Sequence, residues 1–154
     1  IAKGSGAPLH NQTFSQHPVS CAAGLAALGY IRANKLIDRC ARMGLLLHEK
    51  LRETLELPHI GDVRGRGLFA GIEFVKDKQT RTPFPRRVRF AEIFTEAAQA
   101  AGLVVWPNTG QADGTDGDLV VIGPPFVITE DEISEIVRLF QTALETAVSQ
   151  VDRL

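Results

Sequence analysis

The sequence predicts an α+β fold: a mainly helical stretch followed by a short sheet with helices on one face. Three observations carry this. Residues 18–33 (PVSCAAGLAALGYIRA) are small and apolar nearly all round, as in a buried helix. After residue 57 the pattern becomes β-β-α-β-β-α, which closes on a sheet covered from one side. Thr129, followed three residues later by Glu132, is a capping box that opens a final amphipathic helix. The change of pattern places a domain boundary at 56/57, giving segments 1–56 and 57–154.

The first segment, Lys3 to Gln16, is rich in Gly, Ser and Asn and reads as a loop. His17-Pro18 opens the first helix, because Pro fits the first helical turn. A second helix is expected over about 36–56, where Leu36, Cys40, Met43, Leu47 and Leu51 form one apolar stripe. Ile60 to Val63 reads as a short strand, Arg64-Gly65-Arg66-Gly67 as a tight connection, and Leu68 to Val75 as a longer strand. Lys76 to Pro85 is polar with two prolines, so an exposed loop is expected. A helix follows over 87–101, with Val88, Ala91, Phe94 and Ala98 on its inner face. Leu103 to Trp106 and Leu119 to Ile122 read as strands separated by a Gly- and Asp-rich loop. Ile133, Ile136, Val137, Phe140, Leu144 and Val148 line one face of the last helix.

Composition narrows the function classes. Among 154 residues, 44% are hydrophobic and 23% charged, with net charge −1 and both signs interspersed. A nucleic-acid or anionic-membrane surface would need a basic patch, and neither partner is expected. No run of apolar residues is long enough to span a bilayer. The start, Ile1-Ala2-Lys3-Gly4, has no secretory apolar region and no initiator Met, which reads as a fragment or a processed chain. Cys21 and Cys40 lack metal-ligand spacing. They read as buried free thiols of a cytoplasmic protein, with a disulfide or a reactive thiol as the alternative.

Few residues form a catalytic constellation. His10, His17, His48 and His59 lie in separate contexts, with His48 and His59 expected on a helix surface and in a loop. No pair has zinc-protease spacing, and no metal site is expected. Gly65-Arg66-Gly67 lacks the third glycine of a dinucleotide fingerprint. The plainer reading is a sharp connection between paired strands. The most informative segment is the polar run up to Gln16, which contains Thr13 and precedes a helix of very small residues. Free N–H groups and a hydroxyl there suit a phosphate monoester, although a plain loop capping a buried helix accounts for the same residues.

That segment resembles the class III aminotransferases of the fold type I pyridoxal-phosphate (PLP) enzymes. Their pattern runs His-Gly-x-Thr-[Tyr/Phe]-x-Gly-[His/Asn]-Pro-[Leu/Val]-Ala-Cys-Ala-Ala. Thr13, Phe14, His17, Pro18, Val19, Cys21, Ala22 and Ala23 fit it in register. The likeness continues through Gly61-Asp62-Val63-Arg64-Gly65-Arg66-Gly67-Leu68 and Gly71-Ile72-Glu73. It resumes at Gly102-Leu103-Val104-Val105 and at Pro124-Pro125-Phe126-Val127-Ile128-Thr129. The resemblance implies the end of the large PLP domain followed by the C-terminal small domain. It implies PLP as cofactor, with Thr13 and the main chain of Gln12 on its phosphate, and a homodimer in which this loop serves the partner's site. Amino transfer from an amine or ω-amino acid to a 2-oxo acid follows, with small-molecule substrates.

The departures from the pattern matter. Asn11 and Gln16 stand where the family has Gly, and a positive φ at Gln16 would be less tolerable than at Asn11. Many relatives hold a substrate carboxylate with an Arg at the place of Val121, or with a mobile Arg at the place of Trp106. Neither is an Arg here, and both positions are expected to line the substrate pocket. None of the five lysines, Lys3, Lys35, Lys50, Lys76 and Lys78, has the strand-end setting of the family's Schiff-base lysine. No catalytic residue is therefore expected in this chain, and the lysine is expected upstream of Ile1. Two other readings remain: a decarboxylase or aminomutase of the same fold, and a non-catalytic stand-alone module.

Overall fold

A computed structural model describes residues 13–153. Asn11, Gln12, Lys3 and His10 lie outside the described residues. The chain divides by its contacts into two units, residues 1–36 and 37–154. The second helix is grouped with the residues that follow it.

In the first unit, helix α1 spans Pro18–Ala33, with Pro at its start as the sequence predicts. The expected burial is not met: no residue of α1 is buried. Val19 and Leu25 are largely exposed. Its small apolar side chains offer close packing on every side, but an all-round apolar helix is buried only where neighbours surround it. Cys21 is exposed with it, and Cys40 is half-buried, so neither thiol is the fully buried group expected; both are free.

In the second unit, helix α2 spans Leu36–Glu53. Strands β1 (Ile60–Arg66) and β2 (Phe69–Phe74) form an antiparallel hairpin. β1 is longer than the sequence suggests, since Arg64, Gly65 and Arg66 are paired with Gly71, Ala70 and Phe69. The turn falls on Gly67-Leu68, where Gly67 has φ +56. Glycine at the first central position is what a type II′ hairpin turn requires. Helix α3 spans Phe90–Ala100, β3 Trp106–Thr109, β4 Asp118–Ile122 and α4 Glu130–Val151. The sheet is antiparallel in the order β1-β2-β4-β3.

β3 starts where its predicted strand was to end. Leu103 and Val105 are buried and Val104 and Trp106 exposed, so the segment alternates although it is not paired before Trp106. The pairing with β4 begins only at Trp106 and runs through Pro107. Proline is tolerated there because β3 is an edge strand. At the other edge, β1 carries an irregularity between Ile60 and Asp62.

The inner face of the sheet carries Ala70, Ile72, Phe74, Val120 and Ile122. These join Met43, Leu47 and Leu51 of α2 with Phe90 and Phe94 of α3 and Ile133, Val137, Phe140 and Leu144 of α4 in one core. Phe74 sits at its centre, with ring centroids 4.9 Å from both Phe90 and Phe94. Helices thus cover one face, as an α+β fold of this order requires. Ile136 and Val148 of the predicted α4 face are only partly buried. Phe84, in the loop expected to be exposed, is buried and stacks on Phe90 at 4.4 Å.

Three local devices fix the elements around the sheet. The Thr129–Glu132 capping box is present in both directions. Arg39 of α2 donates to the carbonyl oxygens of Phe126, Val127 and Ile128, clasping the turn between β4 and α4. Asp118, buried at the start of β4, accepts the Ala91 N–H at 3.2 Å and caps α3, whose own N-cap Arg89 makes no side-chain cap. Burial raises the Asp118 carboxyl above its ordinary pKa, and its Oδ2 has no partner among the described residues.

α2 approaches the hairpin turn through glycine. A Cβ on Gly44 would lie 2.4 Å from the carbonyl carbon of Gly67, and one on Gly65 would meet the His48 ring at 2.8 Å. His48 is therefore buried beneath the hairpin, not on the helix surface as expected from the sequence.

Candidate functional site

The turn 13–16 precedes α1, with the His17 N–H bonded to the Phe14 carbonyl at 3.2 Å. Thr13 is exposed in this turn. Gln16 has φ +65, so the position where the pattern has Gly does adopt the left-handed conformation, here with a side chain. The N-terminus of α1 has no side-chain cap and no acid in its first turn. Its N–H groups and positive dipole end suit an anion, and the Thr13 hydroxyl is a donor on the same turn. These residues fit the phosphate end of PLP. Gln12 lies outside the described residues.

The second set of residues lies on the face of the sheet opposite the core. Strand pairing sets them in rows. Arg64, Gly71, Val121 and Trp106 form one row across β1-β2-β4-β3; Asp62, Glu73, Leu119 and Asn108 form the next. Arg66 and Phe69 are paired on the other side of the first row and share its face, because side chains alternate with period two. Trp106 and Val121, both expected at a substrate pocket, are thus direct cross-strand neighbours.

The face is divided by charge. On the β1 side, Arg64 bonds Asp62 at 2.8 Å and also Glu73. These carboxylates, Asp62 first, raise the Arg64 pKa above its ordinary value. On the β3 side lies an open pocket of about 480 Å³ lined by Phe69, Val104, Val105, Trp106, Val121, Asn108 and Gly123. Trp106 is 74% exposed and Phe69 61%. Phe69 was missed by the sequence reading. The signal was present in Leu68-Phe69-Ala70-Gly71-Ile72-Glu73-Phe74, where alternation turns one large aromatic outward.

No cluster of metal ligands exists among the described residues. Lys35, Lys76 and Lys78 are exposed and Lys50 half-buried. Lys78 donates to the carbonyls of Leu55 and Leu57. None of these four occupies a strand end facing a pocket.

The sequence model of the family described as aminotransferase class-III matches residues 1–144. The chain belongs to the class III aminotransferases. An uncharacterized aminotransferase of Schizosaccharomyces pombe is 39% identical over 89% of this chain and 30% of its own. The uncharacterized aminotransferase YodT of Bacillus subtilis is 38% identical over 91% of this chain and 32% of its own. Among solved structures, a thermostable omega transaminase mutant from Pseudomonas jessenii matches with TM-score 0.81 and 32% identity, over 95% of this chain and 31% of that one. An aminotransferase of Bacillus anthracis matches with TM-score 0.79 and 36% identity, over 93% of this chain and 32% of its own. The class III fold is therefore shared. The chain spans about three tenths of the length of the curated relatives it matches.

Proposed function

We propose that this chain is the C-terminal part of a PLP-dependent class III aminotransferase that moves an amino group from an amine or ω-amino acid to a 2-oxo acid. Residues 1–56 complete the large domain and 57–154 form the small domain. The observation that carries the reading is the family match together with Thr13 on the turn before an uncapped, acid-free helix N-terminus.

Bound PLP supplies the electron sink that amino transfer needs. Thr13 would donate its hydroxyl to the phosphate and the α1 N-terminus would add its dipole, with Gln12 as the second residue that the resemblance assigns to the phosphate. Trp106 and Val121 wall the substrate pocket. The lysine that bonds the cofactor and moves the proton lies upstream of Ile1 in the full-length enzyme. The enzyme works as a cytoplasmic homodimer, with the Thr13 turn completing the partner's site. Among the described residues no helix is long and apolar enough to cross a membrane.

Thr13→Ala in the full-length enzyme tests the assignment. Losing one hydrogen bond to a charged group costs about 1.5–3 kcal/mol, which weakens PLP retention by about ten- to a hundred-fold. Mixed dimers of this variant with a subunit lacking the catalytic lysine should keep one fully normal site, since both lesions then fall in the other. Mixed dimers with no normal site would refute the cross-subunit role. Unchanged PLP affinity would refute the phosphate role.

A further inference from the structure

We draw no further inference here: the strongest candidate, the groove between α2 and the β1–β2 turn lined by Ile37, Leu45, His48, Arg52 and Arg66, is open in a chain that spans about three tenths of the length of its relatives, and nothing in the structure shows what covers it.

Discussion

Replacing Gly44 with alanine sets two effects of opposite sign against each other. In a helix interior, glycine to alanine gains about 0.8–1.0 kcal/mol, because the backbone loses less entropy on folding. Gly44 lies within α2, so helix propensity alone predicts a more stable protein. The added Cβ would lie 2.4 Å from the carbonyl carbon of Gly67 and 2.5 Å from its Cα and oxygen. Carbon atoms settle at about 3.5–4.0 Å, so roughly 1 Å of movement is demanded of a backbone segment that cannot rotate aside. That segment is the hairpin turn of β1 and β2, and β2 carries Phe74 into the centre of the core. Forcing extra volume into such a contact costs about 1–3 kcal/mol, occasionally more. The clash, made with backbone that cannot turn aside, outweighs the propensity gain, and Gly44→Ala is expected to destabilise by up to about 2 kcal/mol net, lowering Tm by up to several degrees. Urea unfolding followed by far-UV circular dichroism, alongside a thermal scan, measures it. A variant as stable as the parent, or more so, would show that the close approach of α2 to the turn is wrong.

Two further perturbations test the devices around the sheet. Asp118→Ala leaves the Ala91 N–H without its acceptor and should cost about 1–3 kcal/mol, read from urea midpoints. Asp118→Asn keeps an acceptor and removes a buried charge. Because burial raises the folded-state pKa of Asp118, its ionised form is the penalised one. The penalty stands at pH above the raised value and disappears as pH falls below the ordinary carboxylate range. Asp118→Asn should therefore outperform the parent at neutral pH and lose that advantage in acid; a constant difference across pH would contradict the assignment. Arg39→Lys removes the planar fork that serves the carbonyls of Phe126, Val127 and Ile128. A loss of about 1 kcal/mol is expected after allowing for exposure, and an unchanged urea midpoint would mean that the clasp contributes nothing.

Much of the second unit was legible because its signals are local. The capping box needs only Thr129 and Glu132, and the α4 stripe needs only helical spacing. β-Branched and aromatic residues marked β2 as a strand. What escaped the sequence depended on neighbours distant in the chain. His48 has the spacing of a helix-surface residue, and only the hairpin folding over Gly44 and Gly65 buries it. Arg39 lies off the apolar stripe of α2 and carries no local signal of a partner, yet it reaches a turn 87 to 89 residues away. Pro107 fell in the stretch read as a Gly- and Asp-rich loop, and it pairs with Val120 because β3 is an edge strand. The small apolar composition of α1 signals close packing without saying what supplies the second surface. Of the residues proposed for the site, Trp106 and Val121 came from resemblance, and their adjacency follows from the β3–β4 register. Phe69 required knowing which face of β2 is open.

The two margins of the sheet bear on how the protein behaves at high concentration. A row of unpaired backbone N–H and C=O groups is a template on which a second molecule can add a strand, the first step of many ordered aggregates. Pro107 removes a donor from the middle of β3, and the irregularity between Ile60 and Asp62 breaks the straight line of β1. Arg64 and Arg66 add charge along the same margin. Neither border offers the long, flat, fully donating ladder that a growing fibril needs. Among the described strands, the margins of the sheet are therefore poor templates for recruiting further copies strand by strand.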